Sequence, residues 1–97
     1  MDDLDPRVSE TLRFLNETKI RATYGAVAAI IGGIAQSVGG RLGARRPIAS
    51  WVVSAKDGMP RGYTVEMMHP DLMKTSAIIR TGAELKRRMA AWRASNR

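Results

Sequence analysis

Apolar positions recur with helical spacing at the start of the chain. Val8, Leu12 and Leu15 follow one another at i, i+4 and i+7, which predicts an amphipathic helix over residues 6–17. Asp5 followed by a proline suits the N-cap and first position of that helix. The apolar face of this helix has to pack against the rest of the chain.

Two shorter helices are predicted next. One spans residues 24–31, with Thr23 as its N-cap and the pair Gly32-Gly33 as its stop. A third helix over residues 34–42 begins at once. Two helices joined by a glycine turn within about 20 residues have the spacing of a helix-turn-helix. An ordinary helical hairpin has the same spacing and stays open as the alternative.

The pattern changes to β-branched residues after the third helix. Residues 48–53 and 63–65 are predicted strands around a turn at residues 56–58, and the two strands would pair as a hairpin. A hairpin that follows a helix-turn-helix is a wing. The expected fold is therefore a mainly α winged helix-turn-helix with a small β-hairpin. It forms one domain over residues 1–97, with residues 1–5 expected to be flexible.

The C-terminal part is predicted to be helical again. Residues 70–79 should hold a helical turn and a short extended piece, and Thr81 with Glu84 matches a capping box. A last helix is predicted over residues 82–94, because its apolar positions recur at i, i+4 and i+7: Leu85, Met89 and Trp92. The opposite face of that helix is cationic, with Lys86, Arg87, Arg88 and Arg93.

The charge balance indicates what kind of partner the chain binds. The chain has 97 residues with 16 Lys+Arg against 9 Asp+Glu, a formal net charge of +7. Residues 1–17 hold five acids and two arginines, whereas residues 18–97 hold 14 Lys+Arg and four acids. Such an excess predicts a polyanionic partner, most commonly nucleic acid. Aromatic residues make up only 5%, so an aliphatic core is expected.

Several chemistries are excluded by residue counts. With no cysteine, neither a disulfide, a thiolate metal site nor a cysteine nucleophile can exist. His69 is the only histidine, and no further ligands in register accompany it. Nothing positions a third member beside Ser50 and His69 for nucleophilic catalysis. We therefore expect no enzyme activity, no catalytic residues, no cofactor and no metal.

The chain is also expected to act away from membranes. Its first ten residues are acidic and polar, unlike a signal peptide, and the apolar stretch 26–34 is shorter than the roughly 20 residues of a membrane span. The expected location is the cytoplasm, on the nucleoid if the chain binds DNA.

Polar and cationic residues gather where a winged helix meets DNA. They are Gln36, Ser37, Gly40 and Arg41 on the predicted third helix, Arg45 and Arg46 just after it, and Lys56 and Arg61 in the wing. If this helix enters a groove, its polar side chains reach base edges and the arginines contact flanking phosphates. Arginines that are merely solvated in a loop are the alternative.

Several short motifs occur in the order found in one known family. Residues 23–25 (Thr-Tyr-Gly) and 35–40 (Ala-Gln-Ser-Val-Gly-Gly) resemble the DNA-binding domain of the alkylguanine-DNA alkyltransferases and their inactive relatives, the alkyltransferase-like proteins. Residues 51–55 and 58–63 resemble stretches that follow the active site in that family. The resemblance covers roughly residues 8–65.

The resemblance implies a set of DNA contacts. In the family, a tyrosine at the matching position lies against the DNA backbone, so the resemblance implies such contacts for Thr23 and Tyr24. Packing of Tyr24 between the second helix and the wing is the alternative. The family's arginine finger, which fills the space left by an extruded base, aligns with Gln36. The resemblance also implies a base pocket around the former active site, lined by Ser50, Trp51 and Tyr63.

One departure from the family excludes its reaction. Residues 48–51 read Ile-Ala-Ser-Trp where the family has Pro-Cys-His-Arg, so alkyl transfer is impossible here. Extruding a base costs a few kcal/mol, which a plugging side chain partly offsets. A glutamine at position 36 could fill the gap in the base stack but lacks the positive charge of the arginine.

The predicted function is non-enzymatic binding of duplex DNA through the recognition helix and basic wing. A narrower form of this hypothesis adds the sensing or flipping of modified bases. The alternative is a protein–protein interaction or regulatory module of the same fold, whose cationic last helix binds an acidic protein partner.

Overall fold

A computed structural model describes residues 6–95, which form four α-helices and a small three-stranded sheet. In chain order the elements are α1 (Pro6–Thr18), β1 (Arg21–Thr23), α2 (Tyr24–Ile31), α3 (Ala35–Arg41), β2 (Val52–Val53), β3 (Ile78–Ile79) and α4 (Gly82–Ser95). Single turns of 3-10 helix lie in the connections at Pro47–Trp51, Val65–Met67 and Leu72–Lys74. The expected flexibility of residues 1–5 and the expected N-cap Asp5 lie outside the described residues.

The four predicted helices are confirmed to within about two residues at each end. The Thr23 side chain accepts a hydrogen bond from the backbone N–H of Ala26, 3.1 Å away, and so caps α2. Gly32 and Gly33, with φ of +90° and +85°, end this helix in backbone conformations that glycine adopts most readily. Thr81 likewise accepts a hydrogen bond from the N–H of Glu84 and caps α4.

The predicted hairpin is wrong, because both strand pairings are parallel. β1 is the central strand, with Ala22 opposite Val52 on one side and opposite Ile79 on the other. Residues 63–65, the expected return strand, have no strand structure, and residues 47–51 form a 3-10 helix. The domain is thus a mostly helical α/β fold.

Local chemistry explains why the hairpin does not form. Pro47 occupies the first turn of the 3-10 helix, where its fixed φ favours a helical turn over a strand. Val52 and Val53 are both buried, so they lack the alternation of a strand with one solvated face and suit a sheet covered on both sides. The segment that follows contains Pro60 and Gly62 (φ +72°), which keep it irregular.

The core lies between the sheet and helices α1, α2 and α4. Most of its members are aliphatic, as expected from the composition, but the two largest fully buried side chains are Trp51 and Phe14. The Trp51 indole N–H donates to the side-chain oxygen of Asn16 at 3.0 Å, which satisfies its buried polar atom. Trp51 therefore joins the 3-10 helix to α1.

A buried arginine fixes the loops at one end of the sheet. The guanidinium of Arg21 donates to the carbonyl oxygens of Gly58 and Thr75, each 2.8 Å away, and to that of Leu72. Arg21 is only 8% exposed, and its Nε has no hydrogen-bond partner. Backbone carbonyls from two separate loops thus solvate this cation, which anchors both loops to β1.

Candidate functional site

An open cavity of about 430 Å³ lies between α3 and the loop segments that follow it. The residues that line it are Tyr24, Ala35, Gln36, Gly39, Gly40, Leu42, Gly43, Ala44, Arg45, Arg61 and Tyr63. Six of the residues predicted to form a site are among them: Tyr24, Gln36, Gly40, Arg45, Arg61 and Tyr63. The fold therefore brings together residues up to 39 positions apart in the sequence.

Two of the four α3 residues that border the cavity carry no side chain. Gly39 and Gly40 are exposed, and a methyl group built at either position would meet nothing within 4 Å. Val38 is buried and fixes the helix to the core, and Leu42, buried just after α3, forms part of the cavity wall. Each helical glycine costs about 0.5–1 kcal/mol relative to alanine, and no contact within the described chain requires either one. The outcome is a flat helix surface that another molecule can approach closely.

Tyr24 holds Arg61 at the edge of the cavity. The tyrosine hydroxyl accepts a hydrogen bond from the backbone N–H of Arg61 at 3.1 Å. The guanidinium of Arg61 also lies over the same ring, 5.2 Å from its centre, which is within the range of a cation–π contact. Tyr24 itself is buried at the start of α2, so the arginine is positioned by a rigid element.

A second tyrosine holds the chain just after α3. The Tyr63 hydroxyl accepts a hydrogen bond from the backbone N–H of Arg46 at 3.3 Å, and burial raises the pKa of Tyr63 above its usual value. The Arg46 guanidinium donates to the carbonyl oxygens of Leu42 and Ala44, each 2.9 Å away. Arg46 thus closes the C-terminal end of α3.

Arg45 and Arg61 give the cavity a positive edge. The Nε of Arg45 donates to the carbonyl oxygen of Arg61 at 3.3 Å, and both side chains are exposed. No carboxylate within the described range forms an ion pair with either of them. The sequence contains no acidic residue between Glu17 and Asp57, so the surface of α3 and the following loop has no acid of its own.

Five of the ten predicted DNA-contact residues do not line the cavity: Arg46, described above, and the four that follow. Thr23 is buried as the cap of α2, and Ser37 bonds to the backbone of Ile34 at the start of α3. Arg41 donates to the carbonyl oxygen of Gly32 at 2.8 Å and braces the turn before α3. Lys56 is exposed in the loop after β2 and does not line the cavity.

Ser50 and Trp51, expected to line a base pocket with Tyr63, lie in the core and do not line the cavity. Both residues are completely buried, because the 3-10 helix turns them toward the core. The Ser50 hydroxyl donates to the carbonyl oxygen of Pro47 and accepts from the backbone N–H of His69. The His69 ring lies against Trp51 with the ring centres 5.0 Å apart. Of the three residues, only Tyr63 lines the cavity.

The cationic face of α4 is partly paired with acids. Arg93 forms two hydrogen bonds with the Glu10 carboxylate, at 2.7 and 2.8 Å, and Arg88 bonds to Glu84 at 2.9 Å. The Arg93 guanidinium holds the pKa of Glu10 below its usual value. Two members of the predicted α4 row are therefore compensated by acids of α1 and α4.

Residues 6–95 hold neither a metal-binding cluster nor a membrane-spanning helix. Within that range no cluster of three or more histidine or carboxylate side chains could hold a metal ion. No helix in the same range combines the length and apolarity needed to cross a bilayer. Comparison with family models, with curated proteins and with solved structures found no match. The resemblance to the alkyltransferases therefore stays a prediction from the sequence.

Proposed function

We propose that this protein binds duplex DNA without changing it chemically, with α3 and the following loop against the phosphate backbone. The observation that supports this most is the pairing of a side-chain-free helix face, at Gly39 and Gly40, with two exposed arginines that have no carboxylate partner among the described residues. A polyanion that needs both close approach and positive charge fits this surface. We include in it the family resemblance and docking through the helix-turn-helix of α2 and α3.

The two glycines favour a large, rigid ligand. A small anion held by Arg45 and Arg61 inside the cavity needs no side-chain-free helix surface beside it. A duplex, by contrast, presents a continuous ridge of phosphates, and backbone approach allows more of its charges to reach Arg45 and Arg61. Close approach of a duplex would therefore account for Gly39 and Gly40, which lower the stability of helix α3.

Salt dependence tests the proposal directly. The test is to measure duplex binding by fluorescence anisotropy at several salt concentrations. The logarithm of the binding constant should fall linearly with the logarithm of the salt concentration, with a slope of about 0.9 per neutralised phosphate. Arg45→Gln and Arg61→Gln should each reduce this slope by about one. Arg87→Gln removes the same charge from an exposed position of α4 and serves as the matched control. A slope that is flat in the wild-type protein would disprove the proposal.

The narrower version of the proposal, sensing of modified bases, depends on Gln36, which lines the cavity. It requires tighter binding to a duplex that contains an alkylated guanine than to the same duplex without it. Equal affinities would eliminate this version and leave duplex binding intact. Gln36→Ala should remove any preference that is found.

The alternative, an acidic protein partner on α4, has less support. Arg88 and Arg93 already pair with Glu84 and Glu10, which leaves Lys86 and Arg87 as its exposed cations without an ion pair in the described part of the chain. Charge reversal at both Arg45 and Arg46 discriminates the two hypotheses: it should abolish DNA binding under the first and spare partner binding under the second.

A further inference from the structure

Ile34, the residue just before α3, is a large apolar side chain left in solvent. It is 63% exposed, and with Val65 and Met73 it is one of three exposed large hydrophobic residues in the described chain. The whole stretch 33–37 is exposed, so the isoleucine lies at the exposed tip of the turn between α2 and α3. Exposure of a residue this apolar contributes nothing to the stability of the folded chain.

The tip is held rigidly by its neighbours. The backbone N–H and carbonyl of Ile34 both bond to the Ser37 hydroxyl, at 3.3 and 2.8 Å. On the other side, Arg41 donates to the carbonyl of Gly32 and braces the glycine turn. A methyl group at Gly33 would come within 2.9 Å of the Ser37 oxygen, so the turn requires glycine there. A β-branched side chain adds its own restriction at χ1.

Ile34 lies next to the proposed DNA surface along the chain. Ala35 and Gln36, the next two residues of the chain, line the cavity whose edge carries Arg45 and Arg61. A duplex seated on that surface would therefore extend past Ile34. Solvent-exposed apolar groups beside a cationic surface do not attract phosphate, but they can enter the stacked, apolar interior of a duplex.

We propose that Ile34 is a wedge that inserts between two adjacent base pairs of the bound duplex and kinks it. This inference rests on the proposed function and names what α3 does to the DNA. Proteins that insert such apolar side chains unstack one base step and bend the duplex by tens of degrees. The rigid turn is what the wedge requires, because a flexible tip would fold aside instead of separating the bases.

The test measures DNA shape and affinity separately. A short duplex with a fluorescent donor and acceptor at its two ends is titrated with the full chain, and a kink brings the ends together and raises energy transfer. Ile34→Ala should lose most of this increase. Its affinity should change by less than about tenfold, because the lost apolar contact is offset by the unstacking cost that is no longer incurred.

Val65→Ala is the matched control, since Val65 is 80% exposed and does not line the cavity. It should keep the full increase in energy transfer. Two results would overturn the wedge while duplex binding stands: a straight duplex at saturation with wild-type protein, or equal bending by the wild-type and Ile34→Ala proteins. Absence of any salt-dependent binding would remove both the wedge and the proposed function. Circular dichroism confirms that each variant is folded.

Discussion

The hydroxyl of Tyr24 accepts a hydrogen bond from the backbone N–H of Arg61, a residue 37 positions away, while the guanidinium of Arg61 lies over the same ring. One side chain thus fixes both the backbone and the charged end of a residue at the cavity edge. The two contacts can be separated by mutation, because phenylalanine keeps the ring and removes only the hydroxyl.

Tyr24→Phe should destabilise the fold by about 1–2 kcal/mol, since it leaves a partly buried N–H without its acceptor. The free energy of unfolding in urea measures this loss. Duplex affinity should fall less than in Arg61→Gln, because the cation–π contact remains. Tyr24→Leu removes both contacts and should weaken DNA binding further. If the two variants bind equally well, the ring does not position Arg61.

Gly40→Ala should have opposite effects on stability and on binding. Alanine favours the helix by about 0.5–1 kcal/mol, and the added methyl group meets nothing within 4 Å among residues 6–95. The same methyl group projects from the flat face of α3 and should weaken duplex binding. Thermal denaturation and anisotropy measure the two effects.

Gly25→Ala is the control for this pair of effects. Gly25 lies in α2, has equal space around it, and does not line the cavity. Its replacement should leave duplex affinity unchanged. A Gly40→Ala protein that binds as tightly as the wild type would show that close backbone approach is not needed.

Arg21→Lys should destabilise the fold by about 2–4 kcal/mol. Lysine keeps the charge but cannot reach the carbonyl oxygens of Gly58 and Thr75 with a planar pair of donors, so buried acceptors lose their partners. Chemical denaturation measures the change. Arg80→Lys, at an exposed arginine with one long bond to a backbone carbonyl, should cost less than about 0.5 kcal/mol.

Acid should weaken the contact between α1 and α4. The pKa of Glu10 is lower in the folded chain than its usual value, because Arg93 donates to its carboxylate. Its contribution to stability is therefore present at neutral pH and down to the unfolded pKa, and it is lost as the pH falls through the folded pKa. The pair is partly exposed, so its contribution should stay below about 1 kcal/mol.

Denaturation at a series of pH values between neutral and acid checks this expectation. Glu10→Gln should reduce the loss of stability in acid without abolishing it. Part of the slope remains because Lys19 lowers the pKa of Asp71 in the same direction. Glu66→Gln, at an exposed carboxylate with no ion pair among residues 6–95, should follow the wild-type curve. Identical curves for Glu10→Gln and the wild type would contradict the prediction.

The helices were predictable because their signals are local. The spacing of Leu85, Met89 and Trp92, the cap at Thr81 and the glycine stop after α2 each depend on residues a few positions apart. The direction of strand pairing was not predictable, because a β-branched, apolar residue such as Val52 suits parallel and antiparallel sheets equally well. Only the position of β1, some thirty residues earlier in the chain, decides that the pairing is parallel.

In the candidate site, too, residues close in sequence could be grouped in advance, whereas contacts between distant residues could not. Gln36, Gly40 and Arg45 could be grouped from the sequence, since they lie on or next to one short helix. The inward turn of Ser50 and Trp51 follows from the 3-10 helix and from partners such as Asn16 and His69, which are distant in sequence. The contacts of Tyr24 with Arg61 and of Tyr63 with Arg46 likewise required the folded chain.

The central place of β1 has a consequence for how the chain reaches its folded state. Its two neighbours, β2 and β3, begin at residues 52 and 78, so neither pairing is made by a tight local turn. Loops of this length must close before any ladder hydrogen bond forms, which slows folding. A fragment that stops at residue 46 would carry α3 and its arginines but neither neighbour of β1. The surface around α3 is therefore inseparable from the C-terminal half, and only the intact domain should display it.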